Sequence, residues 1–251
     1  AEALASAGVS PAACGERLAL VFGTGLAERS QLVHEMVETL ASDLAIGGPV
    51  TCVSTACSSS TGAIGIGRDL LLMGAADVVV AGGADVLTPE VFAGFHALGV
   101  LTPGRCAPFS TPSGTPLGEG AGFVVLERLG DARSRGARVR AVLAGYGLSG
   151  DAWHETSPDP KGAGIARAIR AAVLDAGVEP ECIEYVNAHG SGTQANDSAE
   201  WLGISHALGA PGRALPVSST KGALGHAQGA AGVLEAIATI EAMERGLIPP
   251  T

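Results

Sequence analysis

The chain has 251 residues, 47% of them hydrophobic and 16% charged, with a net charge of -10 that comes without an acidic run. This is enough apolar material for one large domain or two fused smaller ones, and it excludes a nucleic-acid surface, which needs clustered Lys and Arg. No apolar run approaches the roughly 18 residues of a membrane span, and AEALASAGV lacks the basic start and apolar block of a secretion signal, so a cytoplasmic protein is expected.

Taken in chain order, the apolar periodicity predicts a helix near Glu2 to Ala7, a strand at Leu18 to Phe22, a helix from Gln31 to Ala45 and a strand from Val50 to Thr55. A helix from Ser58 to Met73 and a strand from Asp77 to Ala81 follow. Next come strands at Gly122 to Leu129 and Val139 to Tyr146, then a helix at Ala163 to Ala176 and a strand at Ile183 to Ala188. The last elements are a helix at Asp197 to Ala207, a strand at Leu215 to Ser219 and a helix at Ala230 to Arg245. Strands such as DVVVAGG are apolar without alternation, as in an α/β fold whose sheet is covered on both faces.

The pattern is written twice. LASAGVSPAACGERLALVFGTG near the start resembles LDAGVEPECIEYVNAHGSG later on: a helix end, AGV, a proline turn, a strand and a Gly-x-Gly. Gly8 and Gly177 are about 169 positions apart. Downstream of each copy a second strand ends in VST (Val53 to Thr55) or VSS (Val217 to Ser219), about 164 positions apart, and runs into a Gly- and Ala-rich helix. Helix–turn–strand units often look alike, but the recurrence of both pieces in the same order points to duplication. The expected division is 1–130 and 131–251.

The five cysteines are scattered and form no CxxC pair, so neither a disulfide framework nor a zinc site is suggested. Cys57 lies in VSTACSSS, where a strand runs straight into small hydroxyl residues. A thiol there sits at a helix start, where the dipole and unpaired backbone N–H groups favour thiolate and stabilise a developing oxyanion. A buried cysteine is by itself more often an inert core residue. Here, however, the second half carries His189 at the end of EYVNAH, and Lys221 and His226 in STKGALGH, each at a strand-to-helix junction where α/β folds place functional groups. His34 and His206 sit in helical patterns as solvated or packing residues. A cysteine protease could draw on Asn187 or Asn196 but has no use for Lys221 and a second histidine. GYGLSG (Gly145 to Gly150) fits a nucleotide-binding glycine pattern, yet a loop follows it where that motif needs a helix.

With these motifs in view, the chain resembles the β-ketoacyl-acyl carrier protein synthases of the thiolase superfamily. TACSSS resembles their nucleophile motif, NAHGSGT the first-histidine motif, and STKGALGH the lysine and second-histidine motif; GEGAGFVVLE, AGGADV and GLIPPT match further along. The resemblance implies a thiolase-like α/β fold of two pseudo-symmetric halves in αβαβα layers, here without the family's terminal segments. It implies Cys57, His189 and His226 as the catalytic set, with Lys221 and Glu200 orienting the histidines and Ser191 and Thr193 holding the pantetheine amides. Leu26 matches the position that gates the acyl pocket, and DAWHETSP resembles a loop beside the entrance, which makes His154 a residue lining the site. Ser191 stands where the family usually has threonine, and APFSTPSGTPLGEG lacks the usual charges.

The reaction implied is decarboxylative condensation of an acyl group on Cys57 with malonyl-acyl carrier protein. No metal and no cofactor are expected, since phosphopantetheine arrives with the acyl carrier protein. A homodimer is implied, or a heterodimer with a chain-length-factor-like subunit. A non-catalytic partner subunit and an inactive truncated core are the alternatives.

Overall fold

Strand β1 (Leu18–Gly23) is buried along its whole length, and so needs cover on both faces. In the computed structural model, which describes residues 1–25, 33–110, 114–209 and 214–251, it receives that cover. The described helices in chain order are α1 (Glu2–Ala7), α2 (Pro11–Cys14), α3 (Val33–Asp43), α4 (Ser59–Leu72), α5 (Pro89–Ala97), α6 (Leu129–Ser134), α7 (Ala163–Ala176), α8 (Gln194–Leu208), α9 (Lys221–Leu224) and α10 (Ala231–Arg245). The remaining strands are β2 (Val50–Val53), β3 (Val78–Asp85), β4 (Gly120–Glu127), β5 (Val186–Asn187) and β6 (Val217–Ser218). No described helix is long and apolar enough to cross a membrane. The chain forms two units. One comprises Ala1–Val91, Glu119–Val142 and Ala227–Ile240; the other comprises Phe92–Gly118, Leu143–His226 and Glu241–Thr251.

The first unit is built on a sheet in the order β2-β1-β3-β4, parallel except for the β3–β4 pair. Strand periodicity sorts its core into two layers. Leu18, Leu20, Phe22, Val78 and Val80 pack with Leu4, Val37 and Ala41 from α1 and α3. Ala19, Val21, Val79 and Ala81 face the other way, onto Ala63 and Leu71 of α4. Burying each of these Val and Leu side chains stabilises the fold by about 1.5–3 kcal/mol. The small residues of α4 have a packing reason. A Cβ on Gly67 would lie 3.1 Å from both Leu126 Cδ1 and Val79 Cγ1, and one on Gly23 would lie 2.5 Å from the Ser59 backbone. The start of α4 is therefore pressed against the end of β1.

The second unit has the two-stranded parallel sheet β5–β6, with α7 and α8 packed together through Ala166, Ile204, Ala207 and Leu208. Thr193 caps α8, its hydroxyl accepting from Asn196 N at 3.4 Å. Helix α9 is a single turn, ended by Gly225 at φ 74°. Residues 139–146, expected as a strand, form none. No ladder joins them to a strand among the described residues, and Tyr146 N donates to the Asp175 carboxylate at 2.9 Å.

Candidate active site

In the first unit the junction from β2 to α4 makes a tight elbow. Ala56 has φ 51°, a left-handed conformation that costs a non-glycine residue about 1–2 kcal/mol, and it immediately precedes Cys57. The serines that follow are all engaged. Ser58 Oγ donates to Thr55 O at 2.8 Å, Ser59 Oγ accepts from Thr55 N at 2.9 Å, and Ser60 Oγ accepts from Val233 N at 2.9 Å. The small hydroxyl residues thus close the elbow on itself and tie the start of α4 to α10. Ser59 and Ser60 are fully buried, Cys57 only partly, which suits a thiol that must meet a ligand. None of the five cysteines is in a disulfide.

In the second unit β5 leads through Ala188 to His189, and α9 leads through Gly225 to His226. The two imidazoles meet edge to face, their centroids 5.2 Å apart, and Phe95 packs against His226 at 5.9 Å. Burial, assisted by the Lys221 charge, holds both rings neutral, lowering His226 to about 3 and His189 well below the usual histidine value. A neutral imidazole carries one N–H donor, so the pair can stabilise a developing oxyanion without first losing a proton.

Lys221 and Glu200 act on the backbone of His189. Lys221 Nζ donates to His189 O at 2.7 Å, while His189 N and Gly190 N donate to the two Glu200 oxygens at 2.6 and 2.7 Å. Burial pushes the Glu200 carboxyl up, against these donors, Asn196 and Lys221, which pull it down. Lys221 is 1% exposed, an unusual position for lysine and one that its donation to the carbonyl makes tolerable.

Ser191 Oγ and Thr193 Oγ1 lie 3.0 Å apart, and Ser191 O accepts from Thr115 Oγ1 at 2.6 Å. His154 is exposed in the loop after residue 150, and its Nδ1 accepts from Thr156 N. Leu26 lies outside the described residues. Three residues with polar roles are not singled out by the sequence reading: Asp85 and Thr24, both buried, and Asp197, which is half-buried. Asp197 accepts from Phe109 N at 2.8 Å and Gly192 N at 3.1 Å, holding the turn after His189. Asp85 lies in AGGADV, where an acid closes an apolar run, but that stretch assigns it no role.

Comparison with known proteins agrees with this local architecture. Residues 1–132 match the N-terminal domain of the beta-ketoacyl synthases, and residues 140–251 match their C-terminal domain. The chain is 44% identical over 210 residues to Nodulation protein E of Rhizobium meliloti, covering 83% of this chain and 52% of that protein. It is 43% identical over 231 residues to 3-oxoacyl-[acyl-carrier-protein] synthase 2 of Vibrio cholerae serotype O1, covering 88% and 56%. It therefore spans about half the length of the curated relatives it matches. Among solved structures, the ishigamide ketosynthase/chain length factor superposes with a TM-score of 0.91 at 37% identity, covering 99% of this chain and 68% of that one. A type II polyketide ketosynthase, AntDE, in complex with its acyl-carrier protein superposes at 0.86 and 27% identity, covering 96% and 69%. The chain belongs to the beta-ketoacyl synthase family and has its thiolase-like α/β fold.

Proposed function

We propose that the protein to which this chain belongs joins an acyl group to a malonyl unit by decarboxylative condensation. The carrying observation is the pair of neutral, edge-to-face imidazoles with Lys221 on the carbonyl of one of them. In the first half-reaction the Cys57 thiolate attacks an acyl-carrier thioester; a new S–C bond forms and the carrier thiolate leaves. A malonyl thioester then loses carbon dioxide, and the electron pair of the broken C–C bond moves onto the thioester as an enolate. His189 and His226 donate hydrogen bonds to that enolate oxygen. The enolate carbon attacks the acyl-Cys57 carbonyl, Cys57 leaves as thiolate, and a 3-oxoacyl thioester is released. In this reading Ser191 and Thr193 hold the pantetheine amides, Leu26 gates the acyl chain and His154 lines the approach.

Acyl carrier protein is the proposed partner, and phosphopantetheine enters only on it, so the chain needs no cofactor or metal of its own. A second copy, or a chain-length-factor-like subunit, is proposed to pair antiparallel with β2, whose outer edge meets no strand among the described residues. The non-catalytic alternative is disfavoured because Cys57 is retained. Incubation with acyl-carrier substrate, read by intact mass, is expected to add one acyl group in the wild type and none in Cys57→Ala. An adduct that survives the substitution would sink the reading. Light scattering that finds only monomer would sink the dimer.

A further inference from the structure

The conformation of the elbow before Cys57 is not explained by the elbow alone. Three side chains beneath it, all buried and all in the first unit, form a connected polar train. The Asp85 carboxylate, at the end of β3, accepts from Thr24 Oγ1 at 2.6 Å, Gly25 N at 2.7 Å and Gly229 N at 2.6 Å. Thr24, at the end of β1, presents its carbonyl to Ser59 Oγ at 3.0 Å. Ser59 Oγ in turn accepts from Thr55 N and faces Ala56 O at 2.6 Å, so its single proton is shared between the carbonyls of Thr24 and Ala56. Thr24, Ser59 and Asp85 are 2%, 0% and 6% exposed, so water cannot replace any of these bonds.

We propose that Thr24 and Ser59, anchored by Asp85, are positioning residues that hold Ala56 in its left-handed conformation and thereby fix the Cys57 thiol at the start of α4. A left-handed alanine persists only where its surroundings over-determine it. Here the peptide groups on both sides of the elbow, Thr55 N and Ala56 O, are gripped by one hydroxyl whose own placement is set by Thr24. Loosening the grip lets Ala56 relax to negative φ and turns the thiol away from the N–H groups that activate it. The inference rests on Cys57 being the reacting thiol, but its test needs no acyl carrier.

The test is alkylation of the folded chain by iodoacetamide, followed by peptide mass at Cys57, with exposed Cys182 as internal reference. Thr24→Val and Ser59→Ala are each expected to lower the Cys57-to-Cys182 rate ratio about tenfold. Thr24→Ser, which keeps the hydroxyl, is expected to stay within about twofold of wild type, and Thr24→Val/Ser59→Ala to be no slower than the slower single variant, because both cut the same train. A folded Thr24→Val with an unchanged or faster ratio, a Thr24→Ser as slow as Thr24→Val, or effects that multiply in the double variant would each overturn the proposal. If Ser59→Ala does not fold, the Val and Ser variants of Thr24 decide alone. Loss of acyl transfer with the alkylation pattern intact would instead count against the condensing reaction and leave the positioning role standing.

Discussion

Two junctions of this molecule start from almost the same text and end differently. After β2, Val-Ser-Thr turns through Ala56 into a fourteen-residue helix; after β6, Val-Ser-Ser turns through Thr220 into a four-residue one. At the first, the serine hydroxyls are spent on backbone groups of the elbow, of Thr24 and of α10, and the side chain left at the helix start is a thiol. At the second, Ser219 reaches back to Gly190 O at 2.9 Å, Lys221 reaches His189 O, and Gly225 breaks the helix so that His226 faces the other imidazole. A long helix supplies aligned N–H groups for a nucleophile. A broken one supplies side chains from both of its ends to a single neighbourhood. In the proposed reaction, one strand-to-helix design thus serves covalent chemistry in one place and positioning in the other.

Substitutions at the two junctions should separate these roles. Cys57→Ala is expected to have the largest effect, removing the acyl adduct and lowering condensation by about 10³-fold or more. Lys221→Met should leave acylation of Cys57 within a few-fold of wild type while slowing condensation by about 10²-fold, or ~2.7 kcal/mol. Because the Lys221 charge lowers both imidazoles, their titration by proton NMR should move up in this variant. If Lys221→Met lost the acyl adduct as completely as Cys57→Ala, the two junctions would not have separate tasks.

The same contrast shows what a sequence can and cannot disclose. Helix α7 is read to the residue because glycines at 162 and 177, both left-handed, bracket an apolar stripe. Helix α8 starts at Gln194, three residues before the position expected from periodicity, because the Thr193 cap decides the start. Helix α5 escapes notice because Phe92, at 53% exposure, and Val91, which is buried, blur the contrast between its faces; Pro89 at its first position was the available sign. Residues 139–146 have the composition of a strand, but a strand exists only with a neighbour. Cys57, His189, Lys221 and His226 are legible because each lies in a local motif at a strand-to-helix junction. Asp85 and Thr24 lie in quoted stretches too, AGGADV and GTG, but their roles are not legible there, because these arise only when β1 and β3 lie side by side, 61 residues apart in the chain.

Acid should act on the histidine-bearing unit first. His226 titrates near 3 in the folded protein and near 6.5 when unfolded, so below pH 6.5 the unfolded chain binds more protons and stability falls with falling pH. Between pH 7 and pH 5 this group alone is expected to remove about 2 kcal/mol, with His189 acting in the same direction. Urea unfolding at pH 7, 6 and 5 measures the loss, and His226→Gln should make the dependence shallower. An equal slope in that variant would place the acid sensitivity elsewhere.

The finest comparison concerns the repeated helix ends. Gly8 closes α1 at φ 64° and Gly177 closes α7 at φ 66°, and in each the next residue donates back five positions, Val9 N to Leu4 O and Val178 N to Val173 O. Both are the same left-handed cap, in which the missing Cβ is what permits the turn. An alanine Cβ would meet nothing within 4 Å at Gly177 and only Arg135 at 3.8 Å at Gly8. Backbone strain is then the whole cost at both, about 1 kcal/mol each, since packing contributes nothing to either. Gly8→Ala and Gly177→Ala should therefore lower unfolding free energy equally, to within about 0.5 kcal/mol, and add in the double variant. Unequal losses would mean that the two copies share a spelling without sharing a structural role.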